Sequence, residues 1–171
     1  FSVVRYGNVA GSRGSVIPFF KSLADQGAMV LPITNFTMTR FWITLDEGVD
    51  LVFKAIKEAK GGEIYVGKIP SFKVVDLAKA IHSTARLKQV GTREGEKLHE
   101  VMITEEDASA TYDYGDHFII YPNFVWWDKS RIKSKGAKKV KPNFRFSSHT
   151  NEKWLSVKEL EKLLKKIEIV H

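Results

Sequence analysis

The sequence predicts an α/β fold. Short β-rich runs alternate with amphipathic helical stretches, glycine turns punctuate them, and 171 residues suffice for one domain with a real core, or one domain and part of another.

Residues 2–6, Ser-Val-Val-Arg-Tyr, read as a strand that starts almost at the first residue, as though cut from something longer. Gly7, Gly11 and Gly14 follow as turns, and Val16 to Gln26 reads as a helix closed by Gly27. Met29 to Ile33 and Phe41 to Ile43 are extended. Thr44 to Lys60 carries the strongest helix signal. Thr44 and Glu47 form a capping box, Leu45, Val49, Val52 and Ile56 recur on one face, and Gly61-Gly62 ends the pattern. Glu63 to Val66 is a strand. Phe72 to Thr84 is a helix with Val74, Val75, Leu77, Ala78 and Ile81 inward. Leu98 to Ile103 and Phe118 to Tyr121 are strands, with an acidic turn at Thr104 to Asp107. A second capping box, Ser156 with Glu159, opens a terminal helix whose Val157, Leu160, Leu163, Leu164 and Ile167 dock on something.

The net charge of +7 is local. Lys129, Arg131, Lys133, Lys135, Lys138, Lys139 and Lys141 lie in one acid-free stretch, and setting them aside leaves 20 basic residues against 20 acidic ones. That pattern describes a solvated loop on a neutral protein, and no nucleic-acid partner is expected, because no recognition motif or basic helix face accompanies it. No apolar run is long enough for a membrane helix, so no membrane insertion is expected. The absence of cysteine excludes disulfides and thiolate zinc sites and is compatible with a cytoplasmic location.

Catalytic motifs are missing. There is no phosphate-binding Walker loop and no HExxH, and Gly7, Gly11 and Gly14 lack dinucleotide spacing. His82, His99, His117, His149 and His171 are scattered and read as surface or structural residues, with no metal site. Anion binding is better supported. Arg5, Arg13, Arg40 and Arg93 each sit in a Gly- or Thr-rich turn beside a strand, and guanidinium suits bidentate phosphate contacts.

Several motifs in order carry a family resemblance. Arg5-Tyr6-Gly7-Asn8-Val9 and Gly11-Ser12-Arg13-Gly14-Ser15-Val16-Ile17-Pro18 resemble the stretch after the catalytic lysine in extended short-chain dehydrogenase/reductases that act on nucleotide sugars. Met38-Thr39-Arg40-Phe41-Trp42-Ile43-Thr44-Leu45, Gly61-Gly62-Glu63-Ile64, Lys68-Ile69-Pro70-Ser71 and Gly95-Glu96-Lys97-Leu98-His99-Glu100 resemble the inverting UDP-N-acetylglucosamine 4,6-dehydratases. So do Met102-Ile103-Thr104-Glu105-Glu106-Asp107, Phe146-Ser147-Ser148, Asn151 and Trp154-Leu155.

The resemblance implies the C-terminal part of an extended short-chain dehydrogenase/reductase: the end of a Rossmann sheet and the smaller α/β substrate-binding domain. It implies a division into 1–125, Rossmann remnant and UDP-sugar-binding region, and 126–171, a C-terminal extension with the basic loop and terminal helix. The parent would be a lyase using NADP, making a UDP-4-keto-6-deoxy-hexosamine for surface polysaccharide or nonulosonic acid synthesis, and a homo-oligomer. Carried over by motif, Asn8, Arg40 and Arg93 contact the diphosphate, Leu31, Pro32 and Ile33 lie along the uracil, and Glu96 meets the ribose hydroxyls. Tyr6 and Gly7 lie near the nicotinamide. The family's glycine fingerprint, Tyr-x-x-x-Lys pair and active-site Thr, Asp and Lys are absent, so this chain alone is expected to be inactive. Thr92-Arg93-Glu94 also departs from the family, which often has proline after the arginine. Two alternatives stand beside this reading: another epimerase or dehydratase on the same scaffold, and a non-catalytic binding or assembly module.

Overall fold

A computed structural model describes residues 1–132 and 136–168. In chain order the first elements are β1 (Val3–Arg5), β2 (Asn8–Val9), α1 (Val16–Asp25), β3 (Val30–Ile33), β4 (Thr39–Ile43), α2 (Leu45–Glu58), β5 (Ile64–Gly67), β6 (Ser71–Lys73) and α3 (Val74–Ile81). There follow β7 (Arg86–Gln89), β8 (Val101–Ile103), α4 (Glu105–Ala108), β9 (Thr111–Asp113), β10 (His117–Ile120), a 3-10 turn at Lys129–Arg131, β11 (Lys138–Lys139), β12 (Phe146–Ser147) and α5 (Val157–Glu168). The mixed α/β class is borne out. The chain forms two compact units, each discontinuous in sequence. The first joins Phe1–Gly7, Ile43–Ile69 and Val101–Ser147; the second joins Asn8–Trp42, Pro70–Glu100 and the chain from Ser148 onward.

The first unit is built on a sheet of order β1-β5-β10-β9-β11, in which β1 and β5 are parallel and the other pairings antiparallel. β1 is an edge of that sheet. Leu51, Ala55, Tyr65, Ile119, Tyr121 and Trp127 form a core between sheet and α2. The predicted capping box is present: Thr44 Oγ1 accepts from the Glu47 N–H at 3.2 Å, and the Glu47 carboxylate accepts from the Thr44 N–H at 2.8 Å.

The apolar repeat of α2 is not its buried side. Leu45 is 67% exposed and Ile56 73%, Val49 is exposed, and Val52 is half-buried. The buried side is Gly48, Leu51 and Ala55, one position round the helix. On that side the helix packs closely on β5, where a Cβ on Gly67 would lie 3.3 Å from a Leu51 methyl.

The turn after α2 is closed by Glu63. Its buried carboxylate accepts from the N–H groups of Lys60 and Gly61, each at 2.7 Å, and from the Ser2 hydroxyl at 3.0 Å. Burial opposes ionisation, yet those backbone N–H groups, its own N–H and the Ser2 hydroxyl hold its pKa below the usual range. Gly62 is required twice over. Its φ is +94°, and a Cβ there would stand 2.5 Å from Cγ of Pro122.

The second unit has a core of Ile17, Phe20, Leu31, Ile33, Met38, Trp42, Phe72, Val74, Leu77, Ala78, Leu160 and Leu164. β3 runs parallel to β7, and β4 pairs antiparallel with β6 in a sheet of order β2-β4-β6. The predicted 72–84 helix is shorter. Phe72 belongs to β6, and α3 ends at Ile81 because His82 leaves helical backbone angles. The predicted strand at 98–103 is likewise only β8, and the acidic turn after it is the short helix α4, capped by Thr104 and Asp107. The terminal helix docks as expected, with Leu160 and Leu164 buried in this core. The tail before it is stitched to β6: Ser71 donates its N–H to the Lys153 carbonyl at 2.9 Å and accepts from the Leu155 N–H at 2.8 Å, while the Asn151 amide donates to Ser71 Oγ at 2.9 Å.

Candidate functional site

Arg40 is placed by β4, between buried Thr39 and Phe41. Alternation along a strand puts its side chain on the face opposite theirs. One terminal nitrogen donates to the carbonyls of Thr39 at 2.8 Å and Leu98 at 3.1 Å, Nε lies 3.6 Å from a Glu100 carboxylate oxygen, and the other terminal nitrogen lies 4.0 Å from Glu96. The guanidinium is therefore held in a fixed plane by four neighbours.

Glu96 and Arg93 form a tight local turn. The Glu96 N–H donates to the Arg93 carbonyl at 3.1 Å, and the Glu96 carboxylate accepts from the Arg93 N–H at 3.2 Å. The Arg93 guanidinium forms no ion pair among the described residues. The segment carrying Leu98 and Glu100 is fixed to β4 by a buried hydroxyl chain. Thr39 Oγ1 lies 2.8 Å from His99 Nδ1 and 2.7 Å from Ser148 Oγ, and Ser148 Oγ accepts from the Glu100 N–H at 2.9 Å. Ser148 and Thr39 are buried, so this chain positions backbone and is no nucleophile. His99 stacks on His149 at 4.3 Å, and no cluster among the described residues could hold a metal ion.

These groups open on a cleft of about 540 Å³ within the second unit, lined among others by Pro32, Met38, Arg40, Arg93, Glu96 and the start of α1. Four of the sequence-predicted residues thus meet: Pro32, Arg40, Arg93 and Glu96. Leu31 and Ile33 flank Pro32 on β3 but point into the core. Asn8 is exposed on β2 and does not line the cleft, and Tyr6 and Gly7 belong to the other unit, where they follow β1 at its C-terminal end. Arg5, another arginine considered for anions, is spent internally on the Met102 carbonyl at 2.7 Å and Asp107 at 3.3 Å. Lys133, Lys135 and His171 lie outside the described residues.

Sequence reading missed Ser15, Phe19 and Met38 as lining residues. Ser15 had a legible signal. It precedes α1 as N-cap, but Pro18 stands at the third helical position and lacks the N–H a capping hydroxyl would accept. Its hydroxyl is buried and has no hydrogen-bond partner among the described residues.

Chemically the cleft combines a helix N-terminus without acids in its first turn, two guanidiniums, one carboxylate and the apolar Phe19, Phe20 and Met38. A helix N-terminus and guanidiniums favour an anion, the carboxylate favours hydroxyl donors, and the apolar wall favours a flat ring. The class so defined is an α/β protein with a cleft suited to a nucleotide-like ligand.

The comparisons place it further. The chain belongs to the polysaccharide biosynthesis protein family, whose description matches residues 1–122. It is 47% identical over 96% of its length to the UDP-N-acetylglucosamine 4,6-dehydratase (inverting) of Campylobacter jejuni, covering 51% of that protein. It is 39% identical over 95% of its length to the UDP-glucose 4-epimerase of Rickettsia akari, covering 48% of that protein. The X-ray structure of Pen from Bacillus thuringiensis superposes with a TM-score of 0.81 at 30% identity, covering 99% of this chain and 51% of that one. The chain spans about half the length of the relatives it matches.

Proposed function

We propose that this chain is the nucleotide-sugar-binding portion of an inverting UDP-N-acetylglucosamine 4,6-dehydratase. The observation that carries the reading is the convergence of Pro32, Arg40, Arg93 and Glu96, from separate segments, on one cleft. In this reading Arg93 and Arg40 grip the diphosphate, and Asn8, outside the cleft lining, is not needed for that grip. The Leu31-Pro32-Ile33 backbone runs along the uracil, and Glu96 accepts from the ribose hydroxyls. Arg40 trades its long contacts to Glu96 and Glu100 for phosphate oxygens, which its fixed plane makes cheap in entropy. Tyr6 and Gly7 contact bound NADP, which supplies reversible hydride acceptance. The parent enzyme is a cytoplasmic homo-oligomer, with residues 1–125 as the binding region and 126–171 as an extension; the family match ending at residue 122 supports that boundary. The chain alone is inactive, since the glycine fingerprint and Tyr-x-x-x-Lys pair are not in its sequence.

Calorimetry with UDP on full-length variants tests the site. Arg93→Ala weakens UDP binding roughly 10- to 100-fold, since a charged hydrogen bond contributes ~1.5–3 kcal/mol. Arg→Lys restores part of it. Wild-type affinity in both Arg40→Ala and Arg93→Ala rejects the site. The likeness to UDP-glucose 4-epimerase supports a second reading with the same carrier contacts, and the product formed from each UDP-sugar separates the two.

A further inference from the structure

We propose that His99 is a positioning residue whose protonation reverses the buried hydroxyl chain behind Arg40 and tightens the grip of that arginine on a diphosphate. The proposal rests on the nucleotide-sugar reading of the cleft. Arg40 stands on two carbonyls, that of Thr39 at 2.8 Å and that of Leu98 at 3.1 Å, and the Leu98 carbonyl also accepts from the Thr39 N–H at 3.0 Å. The hydroxyl chain reaches the same backbone. Ser148 Oγ lies 3.2 Å from the Thr39 carbonyl and accepts from the Glu100 N–H at 2.9 Å. Thr39 Oγ1 stands between Ser148 Oγ at 2.7 Å and His99 Nδ1 at 2.8 Å.

Each hydroxyl has one proton to give, and Nδ1 decides where it goes. With Nδ1 bare, Thr39 donates to the ring, Ser148 donates to Thr39 Oγ1, and the Thr39 carbonyl is left to Arg40. With a proton on Nδ1, the ring donates to Thr39 Oγ1, Thr39 donates to Ser148 Oγ, and Ser148 donates to the Thr39 carbonyl. Ser148 accepts from the Glu100 N–H in both directions. Both hydroxyls are satisfied either way, so the ring gains a proton without stranding a buried polar group. Thr39 and Ser148 are buried and His99 is half-buried, so solvent supplies the proton at the ring. A Thr39 carbonyl already shared with Ser148 offsets less of the Arg40 charge, and the imidazolium adds its own. Both effects favour an anion in the cleft. By linkage, anion binding then favours the protonated ring. The charged or titratable neighbours are Arg40 on β4, exposed Lys73 across from Thr39 on β6, Glu96, Lys97 and Glu100 on the ring's own segment, and His149, stacked on it at 4.3 Å from the tail. His149 is the neighbour of the same titrating type, and variants separate the two.

Calorimetry of the full-length protein with UDP-N-acetylglucosamine tests it. Both phosphates of that ligand are esterified, so its own charge stays constant over the range used. We expect affinity to rise about fivefold from about pH 8 to about pH 5.5. His99→Asn keeps an acceptor that does not titrate and flattens the rise, whereas His149→Asn leaves it in place. Thr39→Ser retains the rise, and Thr39→Val, which breaks the chain, removes it. Nitrogen NMR of the labelled wild-type protein should show neutral His99 protonated at Nε2, with Nδ1 taking the second proton. Binding that is independent of pH overturns the proposal and leaves the nucleotide-sugar reading standing; no binding at either pH rejects both. The proposal is also overturned by neutral His99 carrying its proton on Nδ1, by a rise that survives His99→Asn or Thr39→Val, or by one that vanishes in His149→Asn.

Discussion

Helices α2 and α5 begin alike and end differently. Each opens with a reciprocal box, Thr44 with Glu47 and Ser156 with Glu159, and each carries an apolar stripe at helical spacing. The α5 stripe is buried at Leu160 and Leu164, among the side chains of α1, α3 and β3. The α2 stripe is left outward at Leu45, Val49 and Ile56, while Gly48, Leu51 and Ala55 meet the sheet. Periodicity says that a helix has an apolar face. It does not say which of two candidate faces finds a partner.

The largest effect that tests this contrast is at Leu160. Leu160→Ala leaves a cavity in a full core and costs about 2–5 kcal/mol in urea unfolding, whereas Ile56→Ala in the 171-residue chain stays within about 0.5 kcal/mol. Equal costs would break the comparison. A cost above about 1 kcal/mol for Ile56→Ala in a full-length protein sharpens it, by placing the covering surface outside this chain.

Next comes Glu63→Gln, which weakens a charged acceptor of three bonds and costs about 2 kcal/mol in the same measurement. Its effect is pH-dependent. Glu63 has a lowered folded pKa, so its contribution is full above the unfolded carboxylate range and fades as acid protonates it. The wild-type advantage over Glu63→Gln therefore shrinks as pH falls below the unfolded value near 4.5.

The caps should behave alike, because they are local. Thr44→Ala and Ser156→Ala each cost about 1 kcal/mol by thermal or urea unfolding. A large difference between them would show that tertiary position, not the box itself, sets the value.

The smallest effect is at Asp116. Burial opposes its ionisation, but hydrogen bonds from Lys54 and His117, with their charges, bring its pKa to about 2 from 3.8. Its stabilisation is present above pH 3.8 and lost as pH falls toward 2. The side chain is largely exposed, so solvent screens the pair. Asp116→Asn should flatten only that acid limb of the stability curve.

The sequence by itself determined what depends on residues a few positions apart. The Thr44 and Ser156 boxes, the end of α1 before Gly27 and the Arg93–Glu96 turn all rest on bonds spanning three or four residues, which side-chain chemistry specifies without a fold. The order of the family motifs was legible too, and it singles out Pro32, Arg40, Arg93 and Glu96, which share one cleft. The tertiary structure alone decided which face of α2 is buried, that Arg40 rests between Glu96 and Glu100, that Arg5 is spent on Asp107, and that Trp127 goes in while Trp126 stays out. Burial and ion pairing need partners brought from distant positions, and burial free energy follows area removed from water rather than residue type, so neighbouring residues of identical chemistry can end on opposite sides of the surface.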